Sequence, residues 1–162
     1  LKSEEKVCAL LDELGIAYEA IDHPAVFTSA EAERYKDLFE GSRCKNLFLR
    51  NEKGDTHYLV IVDHAKRLDL KVLARLLGEK RLSFASPERL MKYLGLTPGS
   101  VSVFGLINDA EKEVKVVIDS ELREEEKINF HPNVNTRTLS ILYSDMLKFL
   151  CWTGNSVTMQ KL

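Results

Sequence analysis

The 162-residue sequence predicts an α+β fold, a mixed, largely antiparallel β-sheet flanked by helices. Three observations carry that prediction. Strand signals recur over residues 43–50, around the apolar run Leu47 to Leu49, and over 58–62 and 114–118. The compact turn Glu52-Lys53-Gly54-Asp55 separates the first two, which makes a hairpin the expected connection. Apolar residues at helical spacing lie between the other runs, each bounded by capping residues or glycine.

Taken in order, Ser3 with Glu4 and Glu5 opens a first helix, because acids are favoured in a first turn. Val7, Leu10, Leu11 and Leu14 supply its buried stripe, and Gly15 ends it. Residues 17–21 read as a strand stopped by His23-Pro24, and Thr28-Ser29 begins a second helix to about Leu38. The hairpin strands over 43–50 and 58–62 follow, the second ending near Asp63-His64. Asp69 caps a helix carrying Val72, Leu73, Leu76 and Leu77, closed by Gly78. A short strand over 82–85 leads to Ser86-Pro87-Glu88, a helix entry with proline in the first turn.

Residues 95–105 are the most loop-like stretch, with three glycines that permit close backbone approach to a ligand. Neither a P-loop nor a dinucleotide fingerprint is present there, and an ordinary connecting loop fits the local pattern as well. Residues 114–118 form a central strand, 122–126 a solvated acidic turn, and 128–130 and 138–142 two further strands. Ser144-Asp145 caps a last helix through Met146, Phe149 and Leu150, and residues 154–162 read as a frayed end. No repeat or linker divides the chain, so one domain over 1–162 is expected.

Composition narrows the function classes. With 44% hydrophobic and 30% charged residues the chain has the make-up of a globular protein, not of a disordered one. No apolar run approaches the roughly 20 residues that span a bilayer, and the polar start does not read as a signal peptide. The cytoplasm is the default. The net charge of −2 argues against general phosphate binding, so a nucleic acid would have to be held by a local patch. Arg43, Lys45, Arg50, Lys66, Arg67, Arg81 and Arg137 are candidates for it.

Cys8, Cys44 and Cys151 are far apart and form no CxxC pair, which signals neither zinc nor a redox couple. Cys44 beside Lys45 suits either a reactive thiol or a small buried hydrophobe, and strand alternation, which turns the two to opposite faces, favours the second. Four scattered histidines without HxxxH spacing make no metal site. His23 precedes a proline in a turn, His57 lies beside the hairpin turn as a solvated residue, and His64 is placed for a capping contact with Asp63.

Lys45 and Asn46 enter the 43–50 strand at a sheet end. A lysine there is a mobile point charge with three donors, suited to a phosphate or an oxyanion. On spacing alone, a solvated strand-edge lysine is the simpler account.

The segments CKNLFLRN (44–51), KRLDLKVLARLLG (66–78), RLSFASPERLMKYLGLTPGSVSVFGLIND (81–109), VKVVID (114–119) and NFHPNVNTRTLSI (129–141) together resemble one family. It is the YbaK/ProX group of trans-editing aminoacyl-tRNA deacylases, related to the editing insertion of bacterial prolyl-tRNA synthetases. The likeness covers residues 3–150 with the motifs in order, and runs closest to the free-standing alanyl-tRNA(Pro) deacylases. It implies hydrolysis of the ester that joins a wrongly attached amino acid, alanine on tRNA(Pro), to the terminal adenosine. It implies no cofactor and no metal. The partners it implies are the tRNA acceptor end and, as an associated protein, prolyl-tRNA synthetase. The family lysine falls on Lys45, expected to hold the terminal phosphate or ribose, and Asn46 is expected to orient the substrate. The glycine-rich loop falls on Gly99, Ser100 and Val101 through Val103, whose amides are expected to meet the substrate carbonyl. His131 falls where the family lines the pocket. The sequence departs from a Gly-x-x-x-Pro loop by placing Val103 at the fifth position, and Pro98 precedes the loop without replacing that restraint.

Ester hydrolysis passes through a tetrahedral oxyanion, which needs preorganised donors more than a strong nucleophile. No Ser-His-Asp set is evident, so the expectation is that the substrate's ribose hydroxyl helps to activate water. His131 as general base is the rival account, and a structural histidine at a strand end a third. Residues 27–30 and 101–104 are where a pocket that excludes a proline ring would lie. A non-catalytic acceptor-binding or synthetase-associated module of the same fold is the competing function.

Overall fold

The structure, a computed structural model, describes residues 2–25 and 41–162. The helix expected from Thr28-Ser29 and the pocket residues 27–30 lie outside the described residues. Among the described residues the order is α1 (Ser3–Glu13), β1 (Glu19–Asp22), β2 (Ser42–Asn51), β3 (His57–Asp63) and α2 (Leu70–Leu76). There follow β4 (Leu82–Phe84), α3 (Pro87–Leu94), a 3-10 turn (Val103–Asn108), β5 (Val114–Asp119) and a second 3-10 turn (Ser120–Glu124). The chain continues through β6 (Lys127–Phe130), β7 (Arg137–Leu142), α4 (Tyr143–Thr153) and β8 (Val157–Gln160).

The strands form one sheet in the order β1-β7-β6-β2-β3-β5-β8, with β4 also paired to β2. The β1–β7, β6–β7, β2–β3 and β2–β4 pairings are antiparallel, whereas β2–β6, β3–β5 and β5–β8 are parallel. The expected mixed, largely antiparallel sheet is therefore present. The hairpin follows the turn chemistry: Gly54 takes a left-handed φ of +72°, and Asn51 Oδ1 accepts from the amides of Asp55 and Thr56.

Alternation along the strands divides the core in two. One face buries Phe48, Leu59, Ile61, Val116, Ile118, Ile128, Phe130, Leu139 and Ile141 under α1, α3 and α4. The other buries Leu49, Tyr58, Val60, Val62 and Val117 under Leu73 and Ala74 of α2, with Leu47 packed alongside. A β3 that is buried on both faces explains its unbroken apolar run.

Two elements depart from the sequence reading. Residues 157–160 are not frayed but form β8, parallel to β5. Asn155 fixes this end: its Nδ2 donates to Asp109 Oδ2 and to Val114 O, both at 2.8 Å, a tie between residues distant in sequence. His57 is not solvated but 2% exposed, stacked on Phe48 and 4.1 Å from the Tyr93 ring centroid. Arg89 Nη1 donates to His57 Nε2 at 3.0 Å; burial, and then the charges of Arg89, Arg50 and Lys92, push the imidazole down to about 4.

Candidate active site at a parting of two strands

Among the described residues, strand β2 meets β6 in parallel at two positions, Ser42 opposite Ile128 and Arg43 opposite Asn129. On the same edge, β2 is next engaged by β4 from Leu49 onward and by the Ala85 amide at Phe48 O. Among the described residues, Lys45, Asn46 and Leu47 thus lack a strand partner on that edge, where β6 parts from β2. Parallel strands that separate leave a crevice, a favoured place for a ligand. Lys45 and His131 each stand two residues beyond the last paired position, Arg43 opposite Asn129. Alternation puts them on one face of the sheet and turns Asn46 to the other.

On the Lys45 face the surface changes character along the sheet. Toward β3 it is apolar and covered by α2. Toward β6 and β7 it carries Asn129, His131, Thr138 and Ser140, with Asn129, Thr138 and Ser140 buried. Ser140 Oγ is buried without a hydrogen-bond partner among the described residues, and so is Asn46 Oδ1 on the opposite face. Lys45 makes no ion pair or hydrogen bond among the described residues, which leaves its ammonium available to an anion.

His131 is fixed by its own strand pair. Its Nδ1 lies 2.9 Å from Arg137 O; a carbonyl only accepts, so Nδ1 carries the proton and Nε2 keeps its lone pair. Burial, opposed by that hydrogen bond and reinforced by His23, holds its pKa below the ordinary histidine value. The ring is therefore a neutral acceptor near pH 7. His23 stands beside it, ring centroids 5.9 Å apart, with Nε2 2.8 Å from Thr138 Oγ1.

The glycine loop reaches the same place. Thr97-Pro98-Gly99-Ser100 is a turn with Pro98 second, Gly99 third at φ +89°, and Ser100 N donating to Thr97 O at 3.1 Å. Pro98 therefore does restrain the loop, one turn earlier than the missing proline would. Ser102 Oγ then donates to His131 O at 2.5 Å and accepts from Phe104 N at 3.2 Å, while Asn133 Nδ2 donates to Phe104 O at 3.4 Å. These bonds pin the loop to the end of β6. Among the described residues, the amides of Gly99, Val101 and Ser102 donate to no partner. Ser100 is 8% exposed, its amide engaged in the turn, and Val101 is half-buried against the core.

Val103 is a correction. Its side chain is 0% exposed among Phe104, Leu106 and the main core, so it anchors the loop and does not line the crevice. An apolar residue opening a 3-10 turn packs inward, which the linear loop motif does not reveal. Conversely, the sequence reading passed over Asn129, Thr138 and Ser140. Their signal is the polar half of two alternating strands, Asn129 between Ile128 and Phe130, and Thr138 and Ser140 about Leu139.

Cys44 is half-buried, and burial, then the charges of Asp63 and Glu125, pushes its thiol well above the usual range, which makes it no nucleophile. Among the described residues no group of three His, Cys, Asp or Glu could hold a metal ion. His64 lies 3.6 Å from Asp63 through Nδ1 and accepts from Arg43 Nη2 at 2.7 Å. No helix of the described residues is long and apolar enough to cross a membrane.

A lysine with no partner among the described residues at Lys45, a neutral imidazole at His131 and a glycine loop held at His131 O are groups of the kinds that hydrolysis of an anionic ester uses. The chain belongs to the aminoacyl-tRNA editing domain family, whose model matches residues 23–149. It is 43% identical over 156 residues to the prolyl-tRNA editing protein ProX of Acetoanaerobium sticklandii, covering 96% of this chain and 95% of that one. It is 34% identical over 149 residues to the prolyl-tRNA synthetase associated domain-containing protein 1 of Mus musculus, covering 90% and 88%. A solved structure of a candidate trans-editing enzyme for prolyl-tRNA synthetase shares the fold, with a TM-score of 0.74 at 24% identity over 100% of this chain and 98% of the other.

Proposed function

We propose that the protein hydrolyses the ester of misacylated tRNA in trans, with Ala-tRNA(Pro) as its substrate. The observation that supports the reading is the parting of β2 and β6 just before Lys45 and His131, with the loop tied to the end of β6 through Ser102 Oγ and His131 O. In this reading residues 1–162 form one editing domain acting in the cytoplasm on the acceptor end of tRNA(Pro), after prolyl-tRNA synthetase has released a mischarged product.

Lys45 holds the terminal phosphate or ribose and so turns a diffusional encounter into an oriented one. The amides of Gly99 and Val101 receive the carbonyl oxygen as it becomes an oxyanion; loss of one such donor costs about a hundred- to a thousandfold in rate. The terminal ribose hydroxyl orients the attacking water, and His131 Nε2 accepts the hydrogen bond that keeps that hydroxyl in line. Alanine is retained and proline rejected by exclusion of a ring, since a hydrophobic pocket gains only about 1–3 kcal/mol per methylene.

A panel of Ala-, Ser-, Cys- and Pro-tRNA(Pro) with Ala-tRNA(Ala) tests the proposal. Selective release of alanine from tRNA(Pro) is the expected result. Release of serine or cysteine instead would overturn the substrate while keeping the chemistry. No turnover on any member, by folded protein that still binds tRNA, would make it an acceptor-binding module.

A further inference from the structure

The weakly acidic total conceals a strong polarity of charge. Residues 66–81 hold six Lys and Arg against two acids, a local charge of +4, while residues 109–126 hold eight acids against three Lys and Arg, a local charge of −5. Most of the cations named in the sequence as a patch turn out to be engaged. Lys66 is held by Asp119 at 2.5 Å and Glu121 at 2.7 Å, Arg137 by Asp22 at 2.6 Å, and Arg50 by the carbonyls of Asn51 and Glu52. Arg67, Lys71, Arg75, Lys80 and Arg81 are different: all five are exposed, and none has an ion pair or hydrogen-bonded side chain among the described residues. The two acids nearby do not neutralise them, since Asp69 Oδ1 caps α2 through the amides of Lys71 and Val72 and Glu79 accepts from the Tyr58 hydroxyl.

The topology gives this group a direction. Strand β3 ends opposite Cys44, at the Lys45 end of the sheet, and β4 begins opposite Asn51, at the other end. Helix α2 joins them across the face that carries Lys45, Leu47 and Leu49. Arg67 therefore starts beside the Lys45 end, Lys71 and Arg75 follow one turn apart on α2, and Lys80 and Arg81 finish near Asn51. Six residue steps of β2, about 3.3 Å each, make this ridge about 20 Å long.

We propose that the α2 ridge is an RNA-docking surface, which takes the phosphate backbone of the acceptor stem while its 3′ end enters the crevice. The inference rests on the deacylase reading and extends it from the reacting ester to the paired stem. A ridge about 20 Å long spans several phosphates along one strand of a duplex. Its five exposed cations are unneutralised among the described residues, as electrostatic steering requires.

The test compares wild type with Lys71→Glu/Arg75→Glu and, as the milder pair, Lys71→Gln/Arg75→Gln. Each is assayed on full-length charged tRNA, on the same aminoacyl ester carried by a CCA trinucleotide, and for binding of uncharged tRNA. The expected result is a fall of about tenfold or more in kcat/KM on the full-length substrate, unchanged turnover of the trinucleotide, and a salt dependence shallower by about 2 in log–log slope. Equal kcat/KM for variant and wild type on full-length tRNA overturns the ridge, and so does an equal loss on both substrates with unchanged melting temperature. Loss of synthetase binding with tRNA affinity intact also overturns it, assigning the surface to a protein. If wild type hydrolyses neither ester, the deacylase reading falls by itself, and the effect of the variants on tRNA binding still decides the ridge.

Discussion

Replacing Ser102 by alanine should loosen the site without removing any group that touches substrate. The Ser102 hydroxyl is 0% exposed, donates to His131 O at 2.5 Å and accepts from Phe104 N at 3.2 Å. Alanine leaves the Phe104 amide, in a fully buried residue, without that acceptor, and His131 O without that donor. An orphaned buried group costs about 1–3 kcal/mol; His131 is only partly buried and water can relieve its carbonyl, so about 2–4 kcal/mol is expected in all. Urea unfolding should show a lower midpoint at unchanged slope. Deacylation should fall with it, because the hydroxyl ties the loop amides to the residue that carries the acceptor imidazole. Ser102→Thr, which keeps the hydroxyl, separates the lost bond from the altered volume. A Ser102→Ala protein within about 0.5 kcal/mol of wild type and with wild-type kcat would refute the pinning of loop to strand.

Other outcomes follow from the same geometry. Lys45→Ala should leave the melting temperature within a degree or two and remove most deacylation, since the ammonium supports no contact in the described fold; near-wild-type hydrolysis would remove Lys45 from the site. His131 has a pKa held below the ordinary value, so it stays neutral as pH falls through 6.5. The activity of wild type should therefore hold as pH falls through 6.5 and decline only as Nε2 is protonated; a decline centred at or above 6.5 contradicts the assignment. His57, pushed from 6.5 to about 4, is bound neutral, and the stability it contributes is complete above about pH 6.5 and lost as pH falls toward 4. The full shift corresponds to about 3 kcal/mol, and solvent screening around the neighbouring arginines reduces the expected loss to about 1–2 kcal/mol. Chemical denaturation of wild type and His57→Gln at pH 7 and pH 4.5 measures it, and equal pH slopes for the two proteins would refute the account.

Much of the sheet was legible because its central strands announce themselves. β3 carries an unbroken apolar run over 58–62 and β5 one over 116–118, and strand segments buried on both faces are written in this way. β8 was not legible: Val157, Thr158 and Met159 are exposed, and the strand exists because Asn155 clamps the chain to Asp109 and Val114 and sets it beside β5. No local pattern encodes a clamp between residues 46 apart. His57 was misjudged for a related reason. The residues before it, Gly54-Asp55-Thr56, form a polar turn, and its burial comes from Phe48, Tyr93 and Arg89 on other elements. In the site, Lys45 and His131 stood out by motif, whereas Ser140 and Thr138 become visible only when β7 is laid against β6 and the polar residues fall on one face. Val103 shows the converse, a motif position whose side chain the core claims.

Among the described residues two rungs join β2 to β6, a joint sparse enough that it should act as a hinge between two leaves of one sheet. His131 lies two residue rises, about 7 Å, beyond it. A rotation of the leaves by about 5° would shift the imidazole about 0.6 Å, a sizeable part of the difference between admitting a methyl group and admitting a ring. Ile128, fully buried at the joint, never touches the crevice, yet its packing sets the angle between the leaves. Fidelity in such an enzyme is then a mechanical property of the core as well as a chemical one of the pocket. Substitutions beneath the joint should retune the ratio of rates on different amino acids while every side chain in contact with substrate remains the same.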